Sequence, residues 1–199
     1  MLSPWLAGPS SDAAPEAFAD HYGERRTGLL VLAYLNAVSM AVVAAVFVAL
    51  RQVLGPWSPT WAGIGLGAGL LTLAMTLAGF AVLAALAFRG AQAEAARQLT
   101  DVGWLLINTA AGPPTAVSVA AYTVALAHSP YRRPWLLLVG AIVAPAHLVV
   151  AGSFSLTGPL SPTGTVAHVV PGLWFAWVAS TCVVLLTSAR GGPGPATPG

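Results

Sequence analysis

Five stretches of the chain are each long and apolar enough to cross a bilayer as a helix, and this constrains the fold most strongly. A helix needs about 20 predominantly apolar residues to cross a hydrocarbon core of about 30 Å. In lipid, each segment must satisfy its own backbone amides, which favours helices. The sequence therefore predicts an all-α fold, a polytopic transmembrane bundle of five helices. The predicted spans are 28–50, 62–88, 101–128, 135–154 and 166–186.

Composition excludes several other classes of protein. Only 7% of the residues are charged and 57% are hydrophobic, whereas a soluble domain has roughly 25% charged residues. The net charge of +2 is small and dispersed, so a nucleic-acid partner is not expected. The single cysteine, Cys182, lies in an apolar run and excludes a disulfide framework.

The chain divides into a polar N-terminal tail (1–26), a transmembrane domain (27–188) and a disordered tail rich in Gly and Pro (189–199). Within the first tail, Asp12 is a candidate cap for a short interfacial helix with Pro15 in its first turn. A solvated tail is the alternative. No basic segment precedes an apolar core at the start, so a cleavable signal peptide is not expected.

The distribution of charge bears on orientation in the membrane. Five spans place the termini on opposite faces, and the arginine count is equal on the two faces, so the positive-inside rule does not decide. All six acidic residues lie on the N-terminal face, which leaves the other face purely basic. We therefore expect an inner-membrane protein with its N-terminus outside and its C-terminus in the cytoplasm.

The third predicted span carries a polar stripe. Asp101, Asn108, Thr115 and Tyr122 recur every seven residues, and on a straight helix this spacing drifts by only about 20° per step. Polar groups that face lipid are costly, so the stripe should face the interior of the bundle. The sequence Gly112-Pro113-Pro114 interrupts the span and predicts a kink.

Two residues of this stripe are open to two interpretations. Asp101 is either a proton donor beside an apolar cavity or, together with Thr100, a cap for the third span. Asn108 lies deeper and either binds the polar end of a ligand or forms a hydrogen bond with a neighbouring helix.

The second predicted span contains four glycines at alternate positions. Gly63 with Gly67, and Gly65 with Gly69, have the spacing at which small residues let helices approach closely. No strand precedes them and no Gly-Lys-Ser/Thr sequence follows, so they do not indicate a nucleotide site. We expect both pairs to pack against neighbouring helices.

Histidines and tryptophans in the last two spans are further candidates. His147 and His168 could ligate haem iron from facing helices, but counting residues at about 1.5 Å each places them about 10 Å and about 3 Å deep. This mismatch argues against pairing, and no metal or other cofactor is expected. Trp174 and Trp177 are interpreted as packing or interface residues.

Several short motifs follow one another along the chain. They are Phe18-Ala19-Asp20-His21, Trp57-Ser58-Pro59, Leu99-Thr100-Asp101-Val102-Gly103-Trp104-Leu105-Leu106, Pro113-Pro114, Arg133-Pro134-Trp135, Thr157-Gly158-Pro159 and Gly164. Together they resemble a family of small uncharacterised five-span integral membrane proteins of high-GC bacteria. The resemblance covers about residues 18–187 and implies five spans but no activity. Where this chain has Ala116, Val117 and Ser118, members of the family carry bulkier residues.

Two classes of function are compatible with these features. The first is a membrane protein that binds a lipophilic molecule beside the third span, or that serves as an accessory subunit for a membrane-protein partner. The alternative is an intramembrane enzyme on an isoprenoid- or steroid-like substrate, such as a terpene cyclase, with Asp101 as general acid. A transporter is disfavoured because no internal repeat is present. The candidate ligand-binding residues are Trp104, Asn108, Thr115, Tyr122 and His147.

Overall fold

The computed structural model describes residues 9, 12–152, 158–159, 161 and 164–190, with side chains through residue 188. The described residues form helices and no strand. A short helix comes first, and long helices follow it. In chain order the elements are α1 (Pro15–Glu24), α2 (Arg26–Leu54), α3 (Pro59–Arg89), α4 (Ala93–Trp104), a π-helical segment (Leu105–Ala110), α5 (Gly112–Ala127), α6 (Pro134–Ala151) and α7 (Thr165–Arg190).

Five helical stretches have the length and composition of membrane spans. They are α2, α3, the stretch Ala93–Ala127, α6 and most of α7. The predicted all-α bundle of five spans is thereby confirmed, and the chain is a multi-pass membrane protein. The helix α6 ends before the predicted boundary, and α7 continues to Arg190, into the predicted C-terminal tail. The remainder of that tail, 191–199, lies outside the described residues.

The third span begins earlier than predicted. The predicted spans 62–88 and 101–128 leave residues 89–100 between them, but only residues 90–92 separate α3 from α4. The N-cap of α4 is Gln92 and forms no side-chain capping bond, so the predicted cap at Thr100 or Asp101 is wrong. Residues 93–98 are mostly strong helix formers, which extend the helix toward the N-terminal face. Ala96 on this extension is buried under α1.

The helix α1 lies against α4 at the N-terminal face of the bundle. Phe18 and Tyr22 bury their rings in a cluster with Leu86 of α3. Pro15 occupies the first turn as predicted, but the N-cap is Ala14 without a side-chain capping bond, so the predicted cap at Asp12 is wrong. The burial of the two rings holds α1 as a roof over the bundle.

At the opposite end of the bundle the spans form a continuous apolar core. The helix α3 packs against α2 and α5, α6 packs against α5, and α7 packs against α6. Phe47 of α2 stacks on Tyr122 of α5 with ring centroids 5.8 Å apart. Leu126 is fully buried beside them, and Trp177 is 1% exposed in the same core.

Glycines set the closest approaches of α3 to its neighbours. A Cβ atom on Gly69 would lie 2.5 Å from the Phe47 ring, and one on Gly65 would lie 2.9 Å from the Tyr122 ring. The pair Gly65 and Gly69 therefore packs as predicted. Gly67 meets no atom within 4 Å and Gly63 has only one distant neighbour, so the same prediction is wrong for that pair.

Candidate functional site

A cavity of about 440 Å³ lies in the half of the bundle nearest to α1. Its lining comes from the first halves of α2 and α7, the second halves of α3 and α6, and the region around the π-helical segment. Because successive spans run in alternate directions, these parts all lie toward the N-terminal face. A cavity of this size is within the range of sites for small organic ligands.

The helices α2 and α7 both contribute to the lining of the cavity. These two helices pack on α3 and α6, but their described residues scarcely approach each other. Phe175 lines the cavity and is still 42% exposed. Trp174 meets Phe47 edge to face at a centroid distance of 6.2 Å and separates the cavity from the apolar core. On the side of Phe175 the lining therefore includes a residue that is also exposed at the surface of the bundle.

An irregular stretch of the third span shapes the central wall. The amide of Ala111 donates to the carbonyl of Leu106 at 3.1 Å, a wider turn than that of an α-helix. Pro113 and Pro114 follow in the first turn of α5, where their missing amides break the regular hydrogen-bond pattern. A Cβ atom on Gly112 would lie 2.7 Å from Ala151, so the end of α6 packs directly against this break.

The predicted polar stripe faces the interior. Asn108 and Thr115 are each 4% exposed, and Tyr122 is fully buried, which confirms the prediction for these three residues. Asp101 is half-buried. The π-helical segment inserts about one residue into the helix and rotates the later residues by roughly 100° relative to a straight helix. The stripe is therefore not continuous along one wall.

Two hydroxyl groups, one on the third span and one on α3, lie next to each other in the wall of the cavity. Thr115 Oγ1 donates to the carbonyl of Ala111 at 2.6 Å and lies 3.1 Å from Thr72 Oγ1. Thr72 donates to the carbonyl of Ala68 at 3.1 Å. Both threonines line the cavity and are at least 95% buried. They contribute polar atoms to an otherwise mainly apolar wall.

Two histidines face the cavity from α6 and α7. His147 Nδ1 lies 2.9 Å from the carbonyl of Val143, and His168 Nδ1 lies 2.8 Å from the carbonyl of Gly164. A carbonyl oxygen can only accept, so Nδ1 of each ring carries a hydrogen and donates it to the backbone. This arrangement fixes the orientation of both rings.

The two tryptophans of α7 differ in position although both are buried. Trp174 is 5% exposed and lines the cavity, whereas Trp177 is 1% exposed and lies outside its lining. The indole Nε1 of each has no hydrogen-bond partner among the described residues. A buried N–H group without a partner is costly, and only that of Trp174 belongs to a residue next to open space.

The roof of the cavity is formed by α1. His21 and Tyr22 both line the cavity from above, and Tyr22 Oη lies 3.2 Å from Thr100 Oγ1. Burial raises the pKa of Tyr22, although the hydrogen bond with Thr100 opposes this shift. Burial lowers the pKa of His21, the positive charge of Arg25 lowers it further, and Glu24 acts in the opposite direction. The neutral forms of both groups are favoured.

The structure brings together four of the candidate residues from the sequence. Trp104, Asn108, Thr115 and His147 all line the cavity. Tyr122 lies instead in the apolar core, where its hydroxyl donates to the carbonyl of Phe47 at 2.8 Å. The candidate general acid, Asp101, is not among the described residues of the lining.

Sequence reasoning missed other parts of the site. Trp174 was assigned to packing or the interface, and His168 was not among the candidate ligand-binding residues, yet both line the cavity. Asn36 and Thr76 also line it and were not singled out. These positions on α2 and α3 border the cavity because of how the helices pack, so no short pattern in the sequence identifies them.

Among the described residues, no group of three or more His, Cys, Asp or Glu side chains has the arrangement of a metal site. Comparison with protein-family models, curated proteins and solved structures finds no significant match. The resemblance to five-span proteins of high-GC bacteria therefore stays a prediction. Only the fold and the cavity therefore bear on the function of this protein.

Proposed function

We propose that this protein binds a lipophilic molecule in the cavity between α2 and α7. The observation that carries the proposal is the mainly apolar cavity of about 440 Å³, which is roofed by α1 and lined by α2 and α7, two helices whose described residues scarcely approach each other. A lipophilic molecule can enter such a site from the bilayer without crossing water.

The chemistry of the lining supports this role. Ligand sites are mainly apolar and carry a few polar groups that orient the ligand. Here the apolar wall includes Met40, Phe80 and Ile107, and the polar groups include Thr115 and His147. This combination fits a molecule with an apolar tail and a polar end.

We further propose that the protein lies in the inner membrane with its N-terminus outside. All six acidic residues are on the N-terminal face, and Arg132 and Arg133 are on the other face. The arginine count is equal on the two faces, so the support for this orientation is that the C-terminal face carries no acidic residue. In this orientation the cavity is accessible from the outer leaflet.

An intramembrane enzyme with Asp101 as acid is less well supported. A general acid must lie within hydrogen-bond reach of the atom that it protonates, and Asp101 is not in the described lining. The described lining contains Tyr22 and three histidines as titratable groups. An accessory subunit remains an alternative, which affinity purification in mild detergent would reveal through a fixed protein partner.

Native mass spectrometry of the purified protein tests the proposal. Gly172 lines the cavity, and a Cβ atom there meets nothing within 4 Å, so Gly172→Leu should fill part of the site. Gly67→Leu is the matched control because Gly67 is equally open but lies outside the lining.

We expect the wild type and Gly67→Leu to retain a co-purified lipophilic molecule, and Gly172→Leu to lose most of it. If the wild type carries and takes up no lipophilic molecule, or if Gly172→Leu retains it in full, the proposed site is wrong.

A further inference from the structure

The lining of the cavity constrains the charge of the ligand. No Asp, Glu, Lys or Arg side chain occurs among the described residues that line it. The stretches of the chain outside the described residues contain none of these four residue types, so they can add no charged side chain to the lining. The helix α7 lines the cavity only with residues 167–175, and Arg190 ends the same helix about 22 Å further along its axis.

The roof keeps its own charges away from the cavity. Three acidic residues of α1, which are Glu16, Asp20 and Glu24, are all exposed. His21 and Tyr22 are the residues of the same helix that line the cavity. The side of α1 above the cavity therefore carries no carboxylate.

Uncharged polar side chains of the lining donate to the backbone of their own helices. Thr72 Oγ1 donates to the carbonyl of Ala68 and Thr115 Oγ1 to that of Ala111, in each case four residues earlier. The same pattern holds for Asn36 Nδ2, Thr100 Oγ1, His147 Nδ1 and His168 Nδ1. Because a threonine hydroxyl has a single hydrogen, these threonines offer little to a bound anion.

An ion that enters a site of low dielectric constant loses its hydration. It then needs an opposite charge or several hydrogen bonds in exchange. The described lining offers no Lys or Arg to an anion and no Asp or Glu to a cation, and its threonine hydrogens are already in use. A neutral molecule avoids this cost at either end.

We propose that the ligand is uncharged over its whole length, its polar end included. It is a neutral lipid rather than a fatty-acid carboxylate, a phospholipid, an isoprenoid diphosphate or a lipophilic cation. This inference rests on the proposed function and specifies the ligand class for the same site. It describes binding alone and requires no covalent step.

Two pairs of probes that differ in charge but hardly in shape test the inference. Dodecanamide is paired with dodecanoate, and 2,2-dimethyltetradecane is paired with dodecyltrimethylammonium. The full-length protein in a neutral detergent, freed of co-purified molecules, is titrated at about pH 9, where a carboxyl group is ionised and imidazole is neutral. With affinities corrected for partitioning into micelles, we expect each neutral probe to bind at least about tenfold more tightly than its charged partner.

Two matched variants locate this preference in the lining. Asn36→Asp replaces an amide of the lining by a carboxylate of the same shape, and Gln92→Glu makes the same exchange at an exposed position outside the described lining. We expect Asn36→Asp to narrow the difference between dodecyltrimethylammonium and its neutral partner about tenfold, because opposite charges attract strongly in a buried site. Gln92→Glu should leave the difference unchanged. If the two variants behave alike, the lining does not set the preference.

The outcomes separate the two proposals. If either charged probe binds as tightly as its neutral partner, the inference is overturned while a lipophilic site remains. A fatty acid or phospholipid that co-purifies with the wild type and is lost from Gly172→Leu would also overturn it. If no probe binds and nothing co-purifies with the wild type, the proposed function fails as well.

Discussion

The same five membrane-spanning helices form both halves of the bundle, but they pack tightly in one half and enclose a cavity in the other. Toward the C-terminal face, Tyr122 fills the space beside Gly65 and donates to the carbonyl of Phe47 at 2.8 Å. Toward the N-terminal face, the helices enclose a cavity of about 440 Å³ whose lining includes Trp174 and His147. One half has the features of a stable packed core, and the other has the features of a binding site.

The difference begins where the third span becomes irregular. Residues 105–110 form the π-helical segment, and Pro113 and Pro114 follow it directly. Regular α5 supplies the side chains of the packed core. Irregular backbone is tolerated in a membrane where it is buried in protein or lines a cavity, and π-helical turns are frequent at functional sites. The comparison leads to four predictions, ordered from the largest expected effect to the smallest.

Removing an aromatic ring should cost far more in the packed half than in the half with the cavity. Phe47 is 1% exposed, so Phe47→Ala should lower the free energy of unfolding by about 3–5 kcal/mol. Phe80 is half-buried and already borders open space, so Phe80→Ala should cost clearly less. Reversible unfolding in mixed detergent measures both. Equal losses would contradict the contrast between the halves.

Replacing a glycine of α3 by alanine should show where a neighbouring helix approaches α3 closely and where it does not. The Cβ atom of Gly69→Ala would lie 2.5 Å from the Phe47 ring, and overpacking of this kind costs about 1–3 kcal/mol. Gly67→Ala meets no atom within 4 Å and should be neutral or slightly stabilising, because alanine favours a helix more than glycine does. Thermal unfolding of the two variants checks this. A Gly69→Ala protein as stable as Gly67→Ala would show that the close approach is absent.

Removing one hydroxyl group from the packed core should reduce stability without affecting ligand binding. Tyr122→Phe loses the hydrogen bond to the carbonyl of Phe47, which should cost about 1 kcal/mol. Tyr122 lies outside the cavity lining, so the amount of co-purified molecule should not change. Unfolding and native mass spectrometry on the same sample measure both effects. A loss of ligand would show that the two halves are coupled.

The roof should introduce a small dependence of stability on pH. The pKa of His21 is lowered from 6.5, mainly by burial, so the unfolded chain binds a proton more readily than the folded chain. The stabilisation of the folded state by neutral His21 is therefore complete at pH values above the ordinary pKa of histidine. It is lost as the pH falls toward the lowered pKa of the folded state. Melting temperatures measured from about pH 7.5 to about pH 5.5 should fall less in His21→Gln than in the wild type. Identical slopes would argue against a buried neutral His21.

The number and order of the spans could be predicted from the sequence because hydropathy along a single helix determines them. The start of the third span could not, because Glu94 and Arg97 lower its hydropathy while tertiary packing of Ala96 under α1 extends it. The two glycine pairs have the same spacing, but which pair packs depends on the rotation of α3. The buried stripe through Asn108 followed from the cost of exposing polar groups to lipid.

The cavity itself depends on distances between helices that no local pattern encodes. The four lining residues that were predicted share one feature, which is a polar or aromatic group in the third span or α6. Trp174 and Trp177 are indistinguishable in the sequence as buried aromatic residues, and only the position of each on α7 separates a cavity residue from a core residue. The site could therefore be predicted only in part from the sequence, because the packing of the helices decides which residues line the cavity.

A density map of the protein in a lipid nanodisc would test the central claim most directly. We predict an elongated density that enters between α2 and α7 and ends beside Trp174 and His147, while the core around Tyr122 contains only protein. A map in which α2 and α7 pack together and side chains fill the space beneath α1 would contradict the account.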